Sequence, residues 1–302
     1  MKKIALWLSL LSGLISPVAA QVGVEVTLEQ DQFLPGEALQ VAVRITSHAG
    51  QTLILGGADD WLTFSVESPD GIVVPRTSDL PAKNEFPLQS SKVATVRVNL
   101  APYFALTQPG RYAVTATIKI KGWDSEVTSR PKGFYIIQGA KLWEQEIGIP
   151  KPTGASAGSP EVRKYILQQA NYLKNQLRLY LRLTDASEAK VFRVIPIGQL
   201  VSFSKPEPQV DKLSNLHVLY QNGPHSFSYT VCNPDGDMLI RQTYDYVSAR
   251  PRLRGDGEGS ITVEGGVRRM MASDFPVPKP ETPLEEPSKT AGPTNEFKQV
   301  KP

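Results

Sequence analysis

The stretch Leu39-Gln-Val-Ala-Val-Arg-Ile-Thr46 alternates large apolar residues with polar or small ones along its whole length. A second stretch, Tyr112-Ala-Val-Thr-Ala-Thr-Ile-Lys-Ile120, repeats the pattern. Successive side chains of a β-strand point to opposite faces, so a period of two buries one face and leaves the other in water. Both stretches therefore predict strands of antiparallel sheets with one buried face.

Turn sequences divide the region around these stretches into short segments. They are Leu34-Pro35-Gly36-Glu37, Ser68-Pro69-Asp70-Gly71 and Gln108-Pro109-Gly110-Arg111. Proline presets the backbone of a turn and glycine accepts its left-handed position, so each of the three ends one strand before the next begins. Short strands at this spacing predict a two-sheet sandwich over residues 21–140.

A family resemblance accompanies the strand pattern. The segment Phe33-x-Pro35-Gly36-Glu37-x-Leu39-x-Val41-x-Val43-x-Ile45 resembles the opening of extracellular bacterial immunoglobulin-like and macroglobulin-type modules. The segment Pro109-Gly110-x-Tyr112-x-Val114-x-Ala116 is similar to their penultimate strand. The resemblance covers about residues 22–138 and implies an immunoglobulin-like sandwich with Tyr112 as a corner tyrosine. Such modules serve as spacers, adhesive units and inhibitor scaffolds, so the resemblance leaves the function open.

The remainder of the chain divides by composition. Residues 141–160, rich in Pro, Gly, Ser and Ala toward their end, predict a linker. Residues 161–273 predict a second, mainly antiparallel β domain. Leu177, Leu179, Leu181 and Leu183 alternate with polar residues, which favours a hairpin turning near residues 174–175 over a helix near 161–176. Residues 274–302, rich in proline, predict a disordered tail. The predicted fold class is therefore all-β.

The first twenty residues predict export. Lys2 and Lys3 precede an apolar run over residues 4–15, which ends in Ser16-Pro17-Val18-Ala19-Ala20. A basic head, a short apolar run and small residues before a cleavage point are typical of a secretory signal peptide. We expect cleavage after Ala20, no integral membrane segment thereafter and a periplasmic or extracellular location of a bacterial protein. An uncleaved anchor is the alternative.

Charge and cysteine content restrict the partners and the chemistry. The formal charge of +3 falls to +1 when Lys2 and Lys3 leave with the signal peptide, which argues against a nucleic-acid partner. A single cysteine, Cys232, excludes an intramolecular disulfide. Its alternating surroundings predict a buried, inert thiol; a nucleophile activated by His217 or His225 is the alternative.

Motifs for catalysis and metal binding are weak. His48, His217 and His225 lack the spacing of metal ligands. Gly154-Ala-Ser156-Ala-Gly158 matches a hydrolase nucleophile motif, but it lies in the predicted linker rather than between a strand and a helix. We therefore predict no catalytic residue, no metal site and no cofactor.

A ligand-binding surface is predicted in the second domain. Arg250, Arg252 and Arg254 form a local basic cluster, and Tyr244 and Tyr246 add aromatic surface near it. Such a patch suits an anionic partner, although a solvated face is the alternative. The predicted partner is a protein or glycan of the cell envelope, and the oligomeric state is left open.

The functional hypothesis follows from these features. We predict a secreted, non-enzymatic binding or scaffolding protein of the cell envelope or the extracellular space. One alternative is a protease inhibitor that presents the loop Pro75–Pro87. The other is a glycan-active enzyme whose carboxylates converge only in the folded chain.

Overall fold

A computed structural model describes residues 21–81, 84–149, 161–173 and 176–276. Every regular element in these ranges is a β-strand, which confirms the predicted all-β class. Within the same ranges no helix has the length and apolarity needed to cross a membrane. The predicted signal peptide, the predicted linker from residue 150 onward and the predicted tail from residue 277 onward lie outside the described residues.

The N-terminal sandwich contains the first ten strands. They are β1 (Val22–Leu28), β2 (Gln32–Phe33), β3 (Gln40–Ser47), β4 (Leu53–Leu55), β5 (Leu62–Glu67), β6 (Phe86–Leu88), β7 (Val93–Asn99), β8 (Gly110–Lys119), β9 (Glu126–Thr128) and β10 (Lys132–Ile136). One sheet has the order β1-β3-β7, the other has the order β2-β10-β8-β5 with β9 on β8, and β4 pairs with β6. The β2–β10 pair is parallel and the other pairs are antiparallel.

The core of this sandwich lies between the two sheets. Val41, Val43 and Ile45 of β3 are buried on one side, as the alternating sequence predicts. From the opposite sheet, the ring of Phe134 stacks on Tyr112 at a centroid distance of 5.7 Å. The Tyr112 hydroxyl donates to the carbonyl of Gln108 at 2.8 Å, which is the bond a corner tyrosine makes. The family resemblance itself stays a prediction.

The C-terminal sandwich contains the other strands. They are β11 (Ala140–Gly148), β12 (Val162–Leu173), β13 (Gln176–Asp185), β14 (Val191–Gln199), β15 (Glu207–Val210), β16 (Leu216–Gln221), β17 (Ser226–Cys232), β18 (Met238–Asp245), β19 (Arg252–Gly255), β20 (Ile261–Glu264) and β21 (Val267–Arg269). The central sheet has the order β11-β12-β13-β14, and the outer sheet has the order β15-β16-β17-β18-β21. A separate hairpin joins β19 and β20.

The segment that allowed two interpretations is a hairpin. β12 and β13 pair antiparallel from Arg163 and Asp185 to Leu173 and Gln176, so the alternative of a helix near 161–176 is wrong. Leu179, Leu181 and Leu183 are all fully buried on one face of β13. Only an extended chain places residues two apart on one face, and burial of these leucines therefore requires the strand.

The structure also corrects the predicted linker. Residues 141–148, predicted as its first part, belong to β11, which pairs with β12 along its length. Eight of its nine residues are exposed or half-buried, and only Ile147 is buried. An edge strand with so little buried surface carries no alternating apolar signal, which explains why the sequence pattern missed it.

Layers stack around the central sheet. One face packs on the outer sheet through a core that includes Leu167, Leu181, Val218 and Cys232. The far face of the outer sheet is covered by the β19–β20 hairpin, where Leu253 meets a separate apolar cluster. The chain therefore places sheet on sheet and then hairpin on sheet, each layer closing an apolar face of the previous one.

The other face of the central sheet is covered by the N-terminal sandwich. Leu34 of the N-terminal sandwich packs there with Ala170, Tyr180 and Val194 in one small apolar cluster. The alternate residues of β13 that the sequence assigns to a solvent face thus point at the first sandwich. Both faces of β13 are covered.

We expect Phe134→Ala to destabilise the protein by about 3–5 kcal/mol, because it removes a fully buried aromatic side chain. Tyr135→Ala is the matched control, since this neighbouring ring lies on the opposite face of β10 and is 43% exposed. The measurement is urea unfolding followed by tryptophan fluorescence. Equal losses in the two variants would contradict the assigned register.

Candidate functional site

The turn Leu34-Pro35-Gly36-Glu37 joins β2 to the following strand and also touches the C-terminal sandwich. The amide of Glu37 donates to the carbonyl of Leu34 at 3.0 Å, and Gly36 has φ +83°, a left-handed value that favours glycine. Glu37 also forms a parallel β-bridge with Val194 of β14. This turn therefore docks the two sandwiches together.

Glu37 is a buried carboxylate that accepts two hydrogen bonds, and Arg178 reaches it only through Gln30. It accepts hydrogen bonds from Gln30 Nε2 at 2.8 Å and from the Leu34 amide at 2.9 Å. On the other side of Gln30, Arg178 Nη1 donates to Gln30 Oε1 at 2.8 Å. Burial raises the pKa of Glu37, and these hydrogen bonds together with the charge of Arg178 offset part of that rise.

A cavity of about 500 Å³ lies beside this turn, between the two sandwiches, and we call it the cleft. Leu34, Gly36 and Gln138 line it from the N-terminal sandwich. Gln168 of β12 and Arg182 of β13 line it from the central sheet. Ligand sites favour such positions, because two separately folded bodies form concave walls that one sheet face lacks.

Two buried donors in the cleft have no partner among the described residues. Gln168 is 7% exposed, and its Nε2 makes no hydrogen bond. Arg182 Nε is likewise buried and unpaired. Gly139 leaves room for the Gln168 amide, since a Cβ there would lie 3.0 Å from Gln168 Cδ and Oε1. An unpaired buried donor costs about 1–3 kcal/mol, so the fold keeps these two groups at a cost to its stability.

The cleft also contains an acceptor. Glu188 lines it, and its carboxylate lies 3.2 Å from Lys164 Nζ and 3.7 Å from Lys141 Nζ. Its φ of +60° is a left-handed value in the turn between β13 and β14. The site therefore combines an amide donor, a guanidinium donor and a carboxylate acceptor, which suits a ligand that both accepts and donates hydrogen bonds.

The predicted basic cluster lies on and beside the β19–β20 hairpin. Arg252 and Arg254 point outward from β19, and each forms an ion pair, with Glu207 at 3.3 Å and with Glu264 at 2.7 Å respectively. Arg250 lies over the ring of Phe227 at 5.1 Å. Two of the three predicted arginines therefore have their charge balanced by a neighbouring carboxylate.

The two predicted tyrosines occupy different surroundings. Tyr244 of β18 is half-buried, pairs with Phe227 across the sheet and lies 5.7 Å from the guanidinium of Arg268. Tyr246 is exposed, and its ring centroid is 6.3 Å from that of His225. The structure thus places Tyr244 and Arg250 beside Phe227, while Tyr246 lies next to the turn between β16 and β17.

The loop proposed for protease inhibition folds onto the N-terminal sandwich over its described residues. Thr77 bonds to the segment after β7 through its amide, which donates to the carbonyl of Tyr103 at 2.9 Å. Its hydroxyl donates to the carbonyl of Pro102 at 3.1 Å. Leu80 packs against the core, so residues 75–81 lie along the body of the protein.

Cys232 is fully buried in the core of the C-terminal sandwich, and burial raises the pKa of its thiol to about 12. His217 lies on the opposite face of the outer sheet, where its Nδ1 is 2.7 Å from the Tyr229 hydroxyl and its Nε2 is 3.2 Å from Asp211. The nucleophile motif around Ser156 lies outside the described residues. In the ranges that the structure covers, no three His, Cys, Asp or Glu side chains are grouped as a metal site would require.

Sequence reasoning missed the cleft donors, Gln168 and Arg182. In the sequence Arg178, Tyr180 and Arg182 alternate with leucines and therefore indicate an ordinary solvent face. The cleft arises because residues of the first sandwich cover that face, and their separation in sequence leaves no local motif. The one available signal was Tyr180, an aromatic residue in the middle of an otherwise polar face.

Comparisons with known proteins add no family. No family model matches the chain, and no curated protein matches it. Among solved structures, the chain is similar to Spo0M, the sporulation control protein from Bacillus subtilis, with a TM-score of 0.27 and 9% identity. That match covers 70% of this chain and 78% of Spo0M.

We expect the stability of the wild-type protein to fall as the pH rises above about 4.5, through the contribution of Glu37, whose folded-state pKa lies above its usual value of 4.5. A raised pKa means that the folded state binds the proton more tightly, so its advantage is lost as the carboxyl ionises. Glu37→Gln removes this titration and should give a flatter profile of unfolding free energy between pH 4.5 and 7. The exposed Glu29→Gln is the control, and parallel profiles for wild type and Glu37→Gln would contradict the assignment.

Cys232 should stay unmodified in the folded protein. Its burial and raised thiol pKa predict negligible reaction with a chromogenic disulfide reagent at pH 8, and one equivalent of reaction after unfolding in guanidinium. Absorbance at the wavelength of the released thiolate measures both. Rapid modification under native conditions would instead indicate an accessible, reactive thiol.

Proposed function

We propose that this chain is an exported, non-enzymatic binding protein of the cell envelope or extracellular space, and that the cleft between its sandwiches holds a saccharide. The export part is supported by the signal-peptide pattern of residues 1–20. The binding part is supported by one observation above all: Gln168 and Arg182, which each have a buried donor without a protein partner in the described structure, line the same cavity.

The chemistry of the cleft favours a saccharide over a protein partner. Its volume of about 500 Å³ falls within the range of small-ligand sites, whereas a stable protein interface covers about 800 Å² of a broader surface on each partner. Sugar hydroxyls both donate and accept, which matches donors at Gln168 and Arg182 beside the carboxylate of Glu188. Gln168 and Arg182 are held by strands and Glu188 by the turn between β13 and β14, so they are positioned before a ligand arrives.

The test uses the mature chain, residues 21–302, on an oligosaccharide array, with isothermal titration of each saccharide that binds. Gln168→Ala and Arg182→Gln should weaken binding about tenfold or more, because each removes a polar group from the wall of the cleft. Neither variant should lower the free energy of unfolding by more than about 1 kcal/mol, since each deletes a buried donor without a protein partner in the described structure.

Arg193→Gln is the matched control, since Arg193 pairs with Asp237 outside the cleft and the charge change is the same. Wild-type affinity in the cleft variants, or no saccharide bound on the array, would contradict the proposal. Release of a cleaved product during titration would instead support the glycan-active enzyme.

A further inference from the structure

A second polar cavity lies along β14, the edge strand of the central sheet. It has a volume of about 350 Å³ and follows residues 196–199 of β14, and we call it the β14 groove. Tyr172 and Arg178 line one side, and Tyr220, Ser228 and Arg241 of the outer sheet line the other. The groove is separate from the cleft, with which it shares no lining residue.

Arg241 is the most unusual residue of this groove. It lies in β18 opposite Thr230, on the face of the outer sheet that points toward β14. Its Nη2 donates to the carbonyl of Ile197 at 3.1 Å, while its Nε is buried without a partner in the described part of the chain. Arg241 also lines the groove, so its charge favours an acceptor there.

Arg178 supplies a second cation to the same cavity. Its guanidinium stacks on the ring of Tyr172 at 3.6 Å and is held by Gln30, which fixes its plane. The lining of the groove includes no aspartate or glutamate among the described residues. Glu37, whose carboxylate interacts electrostatically with Arg178, lies in the interface between the sandwiches and does not line the groove. Two guanidinium groups without a carboxylate in the lining favour an anionic occupant.

Uncharged groups of the groove narrow the class of ligand. Asn222 Nδ2 donates to Ser228 Oγ at 2.7 Å, which leaves the buried Asn222 Oδ1 as an unpaired acceptor in the described structure. Gly198 keeps the wall open beside Tyr220, since a Cβ there would collide with the Tyr220 hydroxyl. Tyr220, Asn222 and Ser228 line the groove beside the cations, so the wall suits a ligand with hydroxyl groups near its negative charge.

We propose that the β14 groove binds an acidic sugar, with its carboxylate or phosphate on Arg178 and Arg241 and its hydroxyl groups on the uncharged side chains of the wall. Arginine binds both oxyanions through pairs of parallel hydrogen bonds, so the two share one chemistry at this site. The inference is independent of the cleft: it concerns other residues and another charge class of ligand.

The experiment titrates the mature chain with glucuronate, glucose 6-phosphate, glucose and inorganic phosphate, at constant ionic strength, by calorimetry and by thermal unfolding. We expect at least one of the two acidic sugars to bind and raise the unfolding temperature, and to bind more tightly than glucose or inorganic phosphate. Comparison of glucuronate with glucose 6-phosphate shows which oxyanion the groove prefers.

Variants assign the binding to the groove. Arg241→Gln and Arg178→Gln should each weaken the acidic sugar about ten- to a hundredfold, the range for a hydrogen bond to a charged group. Arg254→Gln is the matched control, because Arg254 belongs to the basic cluster on β19 and pairs with Glu264. If Arg241→Gln does not fold, Arg178→Gln decides the outcome.

Four results would overturn the inference. They are no binding of either acidic sugar, equal binding of glucose, equal binding of inorganic phosphate, and unchanged affinity in the folded groove variants. A loss of affinity in Arg254→Gln alone would move the anion to the β19 cluster. The cleft variants Gln168→Ala and Arg182→Gln should leave these affinities unchanged, so failure here and failure of the cleft proposal are distinguishable.

Discussion

Both faces of β13 are buried, and the arrangement of the whole chain depends on this constraint. Its leucines, Leu179, Leu181 and Leu183, close the core against the outer sheet. Its alternate residues face the N-terminal sandwich, where Tyr180 packs with Leu34. A strand has only two faces, so the contact of one face with a second sheet and of the other with a separate sandwich fixes where every layer lies. The polar residues beside Tyr180 are then enclosed rather than solvated.

The strands with one buried and one solvent-exposed face could be predicted from the sequence. Period two in residues 39–46 and 112–120 specifies a buried face, and the structure buries that face in β3 and β8. The hairpin over β12 and β13 was also within reach, because burying leucines two apart requires an extended chain. These features depend on the alternation of apolar and polar residues within one segment, which can be seen in a single sequence.

The remaining features depend on contacts between distant residues. β11 has almost no buried side chain, so backbone pairing with β12 rather than an apolar pattern makes it a strand. Gln168 and Arg182 become a site only because the turn at Leu34 covers their face. Arg241 is a polar residue that points inward from β18, and this position is explained by its hydrogen bond to the carbonyl of Ile197 in β14. Neither the spacing of apolar residues nor a sequence motif indicates which surface will be covered by another part of the chain.

Arg178 contacts both sandwiches, and this position makes the two parts thermodynamically linked. Its guanidinium donates to Gln30 of the N-terminal sandwich, and the same side chain lines the β14 groove. An occupant that changes how Arg178 holds Gln30 also changes the free energy with which the sandwiches adhere. Linkage is reciprocal, so separation of the sandwiches would alter the affinity of the groove for that occupant by the same free energy.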